Sequence, residues 1–382
     1  MPESNEGAGL LEALRNEAIP PSTVDIGDLV IRGRKRVRTR RRVGMCAAAI
    51  GVAAAITIPI ILVTQRANRT APPTVDPKPP TSCTVARLAL PDGFHTARVL
   101  SGDSSGRYLA GIAFNGNESR QVVWRDGKVM APGLPAGDVA PVVNAKGEIA
   151  FFSNNIPYVF RAGRFMPLPQ PDGYESYRPI QINDRGEILG IYVEASEGRL
   201  LIWGANGRIT RVADKPFVPT GLGNDGTVVG VGERRHPGDI HGVMWPEGSG
   251  VVDLPSPQGM GSVGPRTFRA GWAGGYEGSP VLTEAAPPMR IWNVYTGQSV
   301  AVPPEVTRVG VVNSHGWAGV DLGNRPALLA AGKLLALGLP SGVADRDQVQ
   351  IEALSDDART IGGSVMSAED AATGAALIWR CA

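Results

Sequence analysis

One pattern repeats along the C-terminal part of the chain, and it constrains the fold more than any other feature. Each copy has a polar turn that ends in a small residue, a short apolar run, a variable loop and a second strand-like run. The turns end every 39 to 45 residues, at Gly106, Gly147, Gly186, Gly226, Gly271, Gly316 and Ala358. Seven strand-rich copies at this period predict an all-β fold, a seven-bladed β-propeller with four strands in each blade.

The second strand-like run carries a large apolar residue at one equivalent position in every copy. These residues are Trp124, Phe160, Trp203, Trp245, Trp292, Leu329 and Trp379. Radially arranged sheets leave a wedge between neighbours, and large flat side chains fill such a gap. We therefore expect these residues to form the core between blades rather than a platform for carbohydrate.

The last copy ends at Ala382, one strand short of a complete blade. The segment 83–91, CTVARLALP, has the form of the missing strand but lies at the beginning of the repeat region. We expect it to complete the last blade, which would place Cys83 beside Cys381. Cys46 lies in an apolar segment, so these two cysteines are the pair available in an oxidising compartment. The sequence predicts a disulfide between them, with two free thiols as the alternative.

Three stretches of the repeats resemble a known class. They are VVWRDGKV at 122–129, INDRGEILG at 182–190 and LLIWGANG at 200–207. They are similar to the bacterial extracytoplasmic HAF-type repeats, a WD40-like or kelch-like class of propeller repeats. The resemblance covers residues 83–382 and implies architecture, but it says almost nothing about activity. The Gly-His and Trp-Asp pairs of eukaryotic WD40 repeats are absent from their usual spacing.

An uncharged segment precedes the repeats. Val43–Val63 comprises 21 residues without a charge, and about 20 apolar residues are needed to cross a membrane as a helix. Eight basic residues lie between positions 32 and 42, whereas only Arg66 and Arg69 follow the segment closely. The positive-inside rule then places the N-terminus in the cytoplasm and the propeller outside. A cleaved signal peptide is the alternative, but the basic cluster lies unusually far from the N-terminus.

These features divide the chain into four parts. Residues 1–42 form a basic cytoplasmic tail, partly helical or disordered, and residues 43–63 form a single transmembrane helix in contact with membrane lipid. Residues 64–82 form a Pro-rich extracytoplasmic linker. The predicted propeller, residues 83–382, completes the chain.

Charge and motifs restrict the function. Residues 64–382 carry 29 basic and 30 acidic side chains, and such a neutral balance argues against a nucleic-acid partner. The sequence lacks a P-loop, a G-x-S-x-G elbow and an H-E-x-x-H helix. The four histidines do not form a convincing metal-ligand set. We therefore predict no catalytic residue, cofactor or metal, and we consider an enzyme less favoured than a binding protein.

Two long polar loops are the best candidates for a ligand face. They are DGYESYRP at 172–179 and GERRHPGDIHG at 232–242. In a propeller they would lie at the same end of neighbouring blades, and Tyr and Arg are favoured interface anchors. The candidate residues are Tyr174, Tyr177, Arg178, Arg234, Arg235, His236, Asp239 and His241. Two ordinary solvated loops are the alternative.

The leading hypothesis is an extracytoplasmic binding, scaffold or sensor module on a single-span anchor, with a protein or glycan partner. A second hypothesis is a propeller enzyme, a hydrolase or lyase that acts on cell-surface glycans or peptides. A third is that the cytoplasmic tail sequesters a transcription regulator, so that the tail has a cytoplasmic partner of its own.

Overall fold

The computed structural model describes residues 78–130, 133–135, 137, 139–171, 176–192, 199–233, 240–257, 263–278, 287–344, 347–367 and 374–382. These residues form seven antiparallel sheets of four strands each. Every sheet packs against the next along the chain, and the last packs against the first. The seven-bladed all-β propeller predicted from the repeats is therefore confirmed.

The strands of each blade run from the central axis outwards. Blade 1 contains β2 (Thr96–Gly102), β3 (Tyr108–Asn115), β4 (Glu118–Arg125) and β5 (Lys128–Val129). Blade 2 contains β6 (Val142–Val143), β7 (Ile149–Ser153), β8 (Ile156–Arg161) and β9 (Arg164–Pro167). Blade 3 contains β10 (Tyr177–Ile182), β11 (Ile188–Tyr192), β12 (Leu200–Trp203) and β13 (Ile209–Val212). Blade 4 contains β14 (Val218–Leu222), β15 (Val228–Glu233), β16 (Ile240–Trp245) and β17 (Val252–Asp253).

The remaining blades follow the same order. Blade 5 contains β18 (Val263–Arg269), β19 (Trp272–Glu277), β20 (Met289–Asn293) and β21 (Ser299–Val300). Blade 6 contains β22 (Arg308–Val312), β23 (Ala318–Leu322), β24 (Arg325–Ala330) and β25 (Lys333–Ala336). Blade 7 contains β26 (Gln348–Leu354), β27 (Thr360–Met366), β28 (Gly374–Cys381) and β1 (Cys83–Arg87).

Blade 7 joins the two ends of the repeat region. The strand β1 pairs antiparallel with β28, and Cys83 lies opposite Cys381 in this pairing. The two cysteines form a disulfide that closes a loop with a sequence separation of 298. Next to it, the Thr81 amide donates to the carbonyl of Ala382 at 2.7 Å. Both the predicted closing strand and the predicted disulfide are confirmed.

Three of the recurring tryptophans link neighbouring blades through hydrogen bonds. Trp124, Trp203 and Trp379 are fully buried. Their indole N–H groups each donate at 2.7 Å to a carbonyl just after the outer strand of the preceding blade, that of Ala89, Pro169 and Gly338 respectively. Burying an indole while satisfying its donor is favourable on both counts. The predicted role of this position as core between blades is confirmed.

The meander gives the propeller two different ends. We define the turn end as the one with the connections between the first and second and between the third and fourth strands of each blade. We define the loop end as the one with the connections between the second and third strands and between successive blades. Because β1 is an outer strand, the chain enters and leaves the propeller at the turn end.

No helix in the part of the chain described above is long and apolar enough to span a bilayer. The span predicted at 43–63, the tail and residues 64–77 of the linker lie outside the described residues. The membrane anchor therefore stays a prediction.

Candidate functional site

A cavity of about 280 Å³ lies on the propeller axis, and inner strands from all seven blades line it. In six blades the pairing between the first two strands slips by one residue, which marks a β-bulge. A bulge leaves one residue unpaired and re-aims its side chain. The extra residues line the cavity, and they are Leu100, Ile180, Thr220, Arg266, Gly310 and Glu352.

Side-chain amides link the turns at the turn end. In Asn183 the amide oxygen accepts the backbone N–H groups of Arg185 and Glu187, at 3.1 and 2.9 Å. Its amide nitrogen then donates to the carbonyl of Gly223 in the next blade at 2.9 Å. Asn144 and Asn313 donate in the same way to the blades that follow them. The polar turns that define the repeat in sequence therefore also hold neighbouring blades together.

Asp184 connects four blades at the turn end of the cavity. Its carboxylate accepts hydrogen bonds from the backbone of Ala145 at 2.9 Å, from Ser104 at 2.9 Å and from Asn224 at 3.1 Å. Burial alone would raise the pKa of Asp184, but these three hydrogen bonds and the charge of Arg269 outweigh it, so the pKa lies below its ordinary value. Asp184 is thus held as an anion.

Arg269 occupies the place in blade 5 where the other blades begin their polar turn. It donates to the carbonyl of Leu354 in blade 7 at 3.0 Å and so reaches past blade 6. Together with the Ser104–Asp184 bond, which reaches past blade 2, this contact joins turns of non-adjacent blades at the turn end of the axis.

A second charged group lies between blades 6 and 7. Arg308 forms an ion pair with Asp321 and a longer contact, 3.5 Å, with Oε1 of Glu352. Burial raises the pKa of Glu352, the charge of Arg308 opposes this, and the charge of Asp321 adds to it. Burial likewise raises the pKa of Asp321 despite Arg308. Burial acts in the same direction on all three carboxyl groups, but the net pKa shift of Asp321 and Glu352 is opposite to that of Asp184 because fewer donors reach them.

Most of the acidic residues around the cavity accept hydrogen bonds that stabilise the turns. Asp103 accepts the backbone N–H groups of Tyr108 at 2.7 Å and of Ser105 at 2.8 Å. Asp356 accepts the backbone N–H of Ser314 at 3.2 Å. Within the described ranges, no group of three or more His, Cys, Asp or Glu side chains could hold a metal ion. No pair of free carboxylates is available among these residues for acid–base chemistry.

The candidate ligand face is only partly within the described residues. Tyr174, Arg234, Arg235, His236 and Asp239 lie outside them. Of the remaining candidates, Tyr177 is 1% exposed and packs against Tyr192 and Trp203, with ring centroids at 5.4 and 6.5 Å. This position corrects the expectation that Tyr177 presents its side chain to a ligand. As the first residue of β10, it points into the core between blades 2 and 3.

Arg178 and His241 lie at the loop end but are not fully open to solvent. The Arg178 guanidinium stacks 5.3 Å from the ring centroid of Phe152, and its buried Nε lacks a hydrogen-bond partner among the described residues. His241 Nε2 lies 3.2 Å from Oδ1 of Asp253. Both side chains are thus tied to neighbours on the loop-end side of their blades.

The two ends differ in the lengths of their connections. Five residues separate the first two strands in six blades, and two separate them in blade 5. At the loop end, two residues separate the second and third strands in blades 1, 2 and 6, but six to eleven do so in blades 3, 4, 5 and 7. Blades 3, 4 and 5 are adjacent, so three of the long connections lie side by side.

The fold and the axial cavity define the class of the protein, a seven-bladed β-propeller. No family model matches the chain, and no curated protein matches it. Among solved structures, virginiamycin B lyase from Staphylococcus aureus is similar at 14% identity and a TM-score of 0.51, over 79% of this chain and 99% of that chain. Oligogalacturonate lyase from Vibrio parahaemolyticus is similar at 13% identity and a TM-score of 0.50, over 78% and 93%. At these identities the likeness shows the fold alone.

The bulged residues were missed by the sequence reasoning. A one-residue bulge leaves the period of the repeats unchanged, and its side chain varies from Leu to Glu between blades. The available signal was positional: the bulged residue stands three positions before the first residue of the polar turn, as Ile180 does before Asn183.

Proposed function

We propose that this chain is a single-span membrane protein whose extracytoplasmic, HAF-type propeller binds a protein or glycan partner through its loop end. The N-terminal tail would be cytoplasmic, and residues 43–63 would contact lipid. The proposed binding surface comprises the long connections of blades 3 to 5, including Arg234, Arg235, His236 and Asp239, with Arg178 and His241 at its base.

The difference between the ends carries this proposal. Connections on a rigid scaffold are where binding residues concentrate, because their length and sequence can vary without loss of the fold. The turn end has little such freedom, since its turns hold one another through buried hydrogen bonds. The chain also enters at the turn end, so the loop end is the one without the attached linker.

Site-specific crosslinking of the full-length chain in its native membrane tests this proposal. A photo-crosslinking residue at Arg235 should capture a discrete partner, whereas the same residue at Lys146, which is exposed at the turn end, should not. Capture at Lys146 alone would reject the loop end as the binding surface. Equal capture at both positions would also reject it, because that result indicates non-specific proximity.

One residue supports the alternative that the propeller is an enzyme. The two similar structures are named as lyases. Glu352 lines the cavity, and burial raises the pKa of its carboxyl group, as it does in many general acids and bases. If the propeller were such an enzyme, Glu352→Gln should abolish turnover of glycan or peptide substrates by the purified chain.

The cytoplasmic-tail alternative predicts instead that deletion of residues 1–31 abolishes sequestration of a transcription regulator while partner capture at Arg235 persists.

A further inference from the structure

Two charged side chains in the axial cavity remain available to a ligand. Arg266 is exposed and makes no hydrogen bond or ion pair with any residue that the structure describes. Its only close contact of note is with the ring of Tyr276, whose centroid lies 6.0 Å from the guanidinium carbon. Glu352 has a single long contact, 3.5 Å, with Arg308. The other charged side chains that line the cavity form hydrogen bonds with residues of the turns.

Arg266 and Glu352 occupy the same structural position in different blades. Both are the extra residue of a β-bulge, Arg266 in blade 5 and Glu352 in blade 7. The equivalent residue of blade 6, between them, is Gly310, which adds no side chain to that wall. The cavity wall therefore presents a cation from blade 5 and an anion from blade 7, and the bulged residue of blade 6 contributes no side chain between them.

The opposite part of the wall is apolar. Leu100, the bulged residue of blade 1, is 39% exposed although it lies on the axis of the propeller. Ile180 occupies the same position in blade 3 and is partly exposed. A leucine left open inside a cavity is a favourable contact for an apolar group of a ligand, because its burial there removes both surfaces from water.

We propose that the axial cavity binds a free amino acid, or a short peptide, that carries an unblocked carboxylate, an unblocked ammonium group and an apolar side chain. Arg266 would hold the carboxylate, Glu352 the ammonium group, and Leu100 with Ile180 the side chain. The cavity volume of about 280 Å³ lies near the lower end of the range for small-molecule sites, roughly 300–1,000 Å³, which suits a molecule of this size. The site is independent of the macromolecular partner proposed for the loop end.

Calorimetric titration of the full-length chain in detergent micelles with leucine tests the proposal. Leucinamide lacks the carboxylate, and N-acetyl-leucine lacks the ammonium group. Each should bind about tenfold or more weakly than leucine, which is the usual effect of losing one charge-assisted hydrogen bond. Absence of leucine binding, or equal binding of all three compounds, would overturn the proposal.

Two variants assign the charges to residues. Arg266→Gln should lose the preference for leucine over leucinamide and keep the preference over N-acetyl-leucine. Glu352→Gln should show the reverse pattern. Arg266 makes no bond that the fold uses, so a misfolded variant is not an expected explanation, and Arg164→Gln on the exposed strand β9 serves as the matched control. If Arg266→Gln kept the full preference for a free carboxylate, the assignment of Arg266 would be wrong.

Discussion

The turn end and the loop end of this propeller are built from the same seven blades but obey different constraints. At the turn end, six turns have the same length, and Asn144, Asn183 and Asn313 each reach into the following blade. At the loop end, connections between the middle strands range from two to eleven residues. The regularity of the repeat is therefore a property of one end, which holds the ring together, while the other end is free to vary.

This difference is the reason for proposing the loop end as the binding surface. A turn whose side chain and backbone already make buried hydrogen bonds cannot change without losing them. A longer connection at the loop end costs little, because loop-closure entropy grows only slowly with length. The disulfide also lies at the turn end, where the chain enters and leaves the ring.

Removing the disulfide should have the largest effect on the comparison. It lies at the turn end, where it joins the first and last strands of the ring. We expect the double variant Cys83→Ala/Cys381→Ala to lose about 2–5 kcal/mol of unfolding free energy, measured by urea titration of the full-length chain with tryptophan fluorescence. Cys46→Ala, which leaves the ring intact, is the control. An unchanged urea midpoint in the double variant would show that strand pairing alone closes the ring.

A matched insertion should break the turn end and spare the loop end. Four residues, Gly-Ser-Gly-Ser, inserted between Arg185 and Gly186 would separate Asn183 from Gly186 and Glu187, whose backbone N–H groups donate to it in the turn of blade 3. We expect a loss of about 2–4 kcal/mol, since buried polar groups lose their hydrogen bonds. The same insertion between Gly116 and Asn117, in the short hairpin of blade 1 at the loop end, should cost less than about 1 kcal/mol.

Thermal melting of the two insertion variants provides the measurement. Similar melting temperatures for both would contradict the distinction between the ends. A lower melting temperature for the Gly116–Asn117 insertion than for the Arg185–Gly186 insertion would reverse it.

The fold was predictable because its determinants are local and repeated. A turn ending in Gly and a tryptophan at a fixed distance recur in sequence, and both have a direct geometric role, as positive φ at Gly186 and burial of Trp203 show. The disulfide was predictable because a strand missing at one end of the repeats, and present at the other, leaves a single place for Cys83.

The site was predictable only in outline. Tyr177 was assigned to a loop, but it is the first residue of β10, and the alternation of side chains across a strand turns it into the core. Arg266 and Glu352 carry no signature, because a bulge is set by how two strands pair rather than by the residue type. Only the axial arrangement of seven inner strands brings these two residues to one cavity.

Two acidic residues of the cavity should respond to pH in opposite directions. The pKa of Asp184 is lowered in the folded protein, so the stability that it provides is present above its ordinary value of 3.8 and is lost as the pH falls through the lowered value. The pKa of Glu352 is raised, so its contribution is present below its ordinary value of 4.5 and is lost as the pH rises through the raised value.

Substitutions at these residues should therefore flatten different parts of the stability profile. Asp184→Asn should cost about 1–2 kcal/mol at neutral pH, because hydrogen bonds to a charged acceptor become neutral ones, and it should lose less stability than the wild type below about pH 4. Glu352→Gln should remove the gain that the wild type shows as the pH falls from neutral towards 4.5. Urea midpoints across this range measure both effects. Parallel profiles for the two variants would show that the bonds at the turn end do not set Asp184 apart from Glu352.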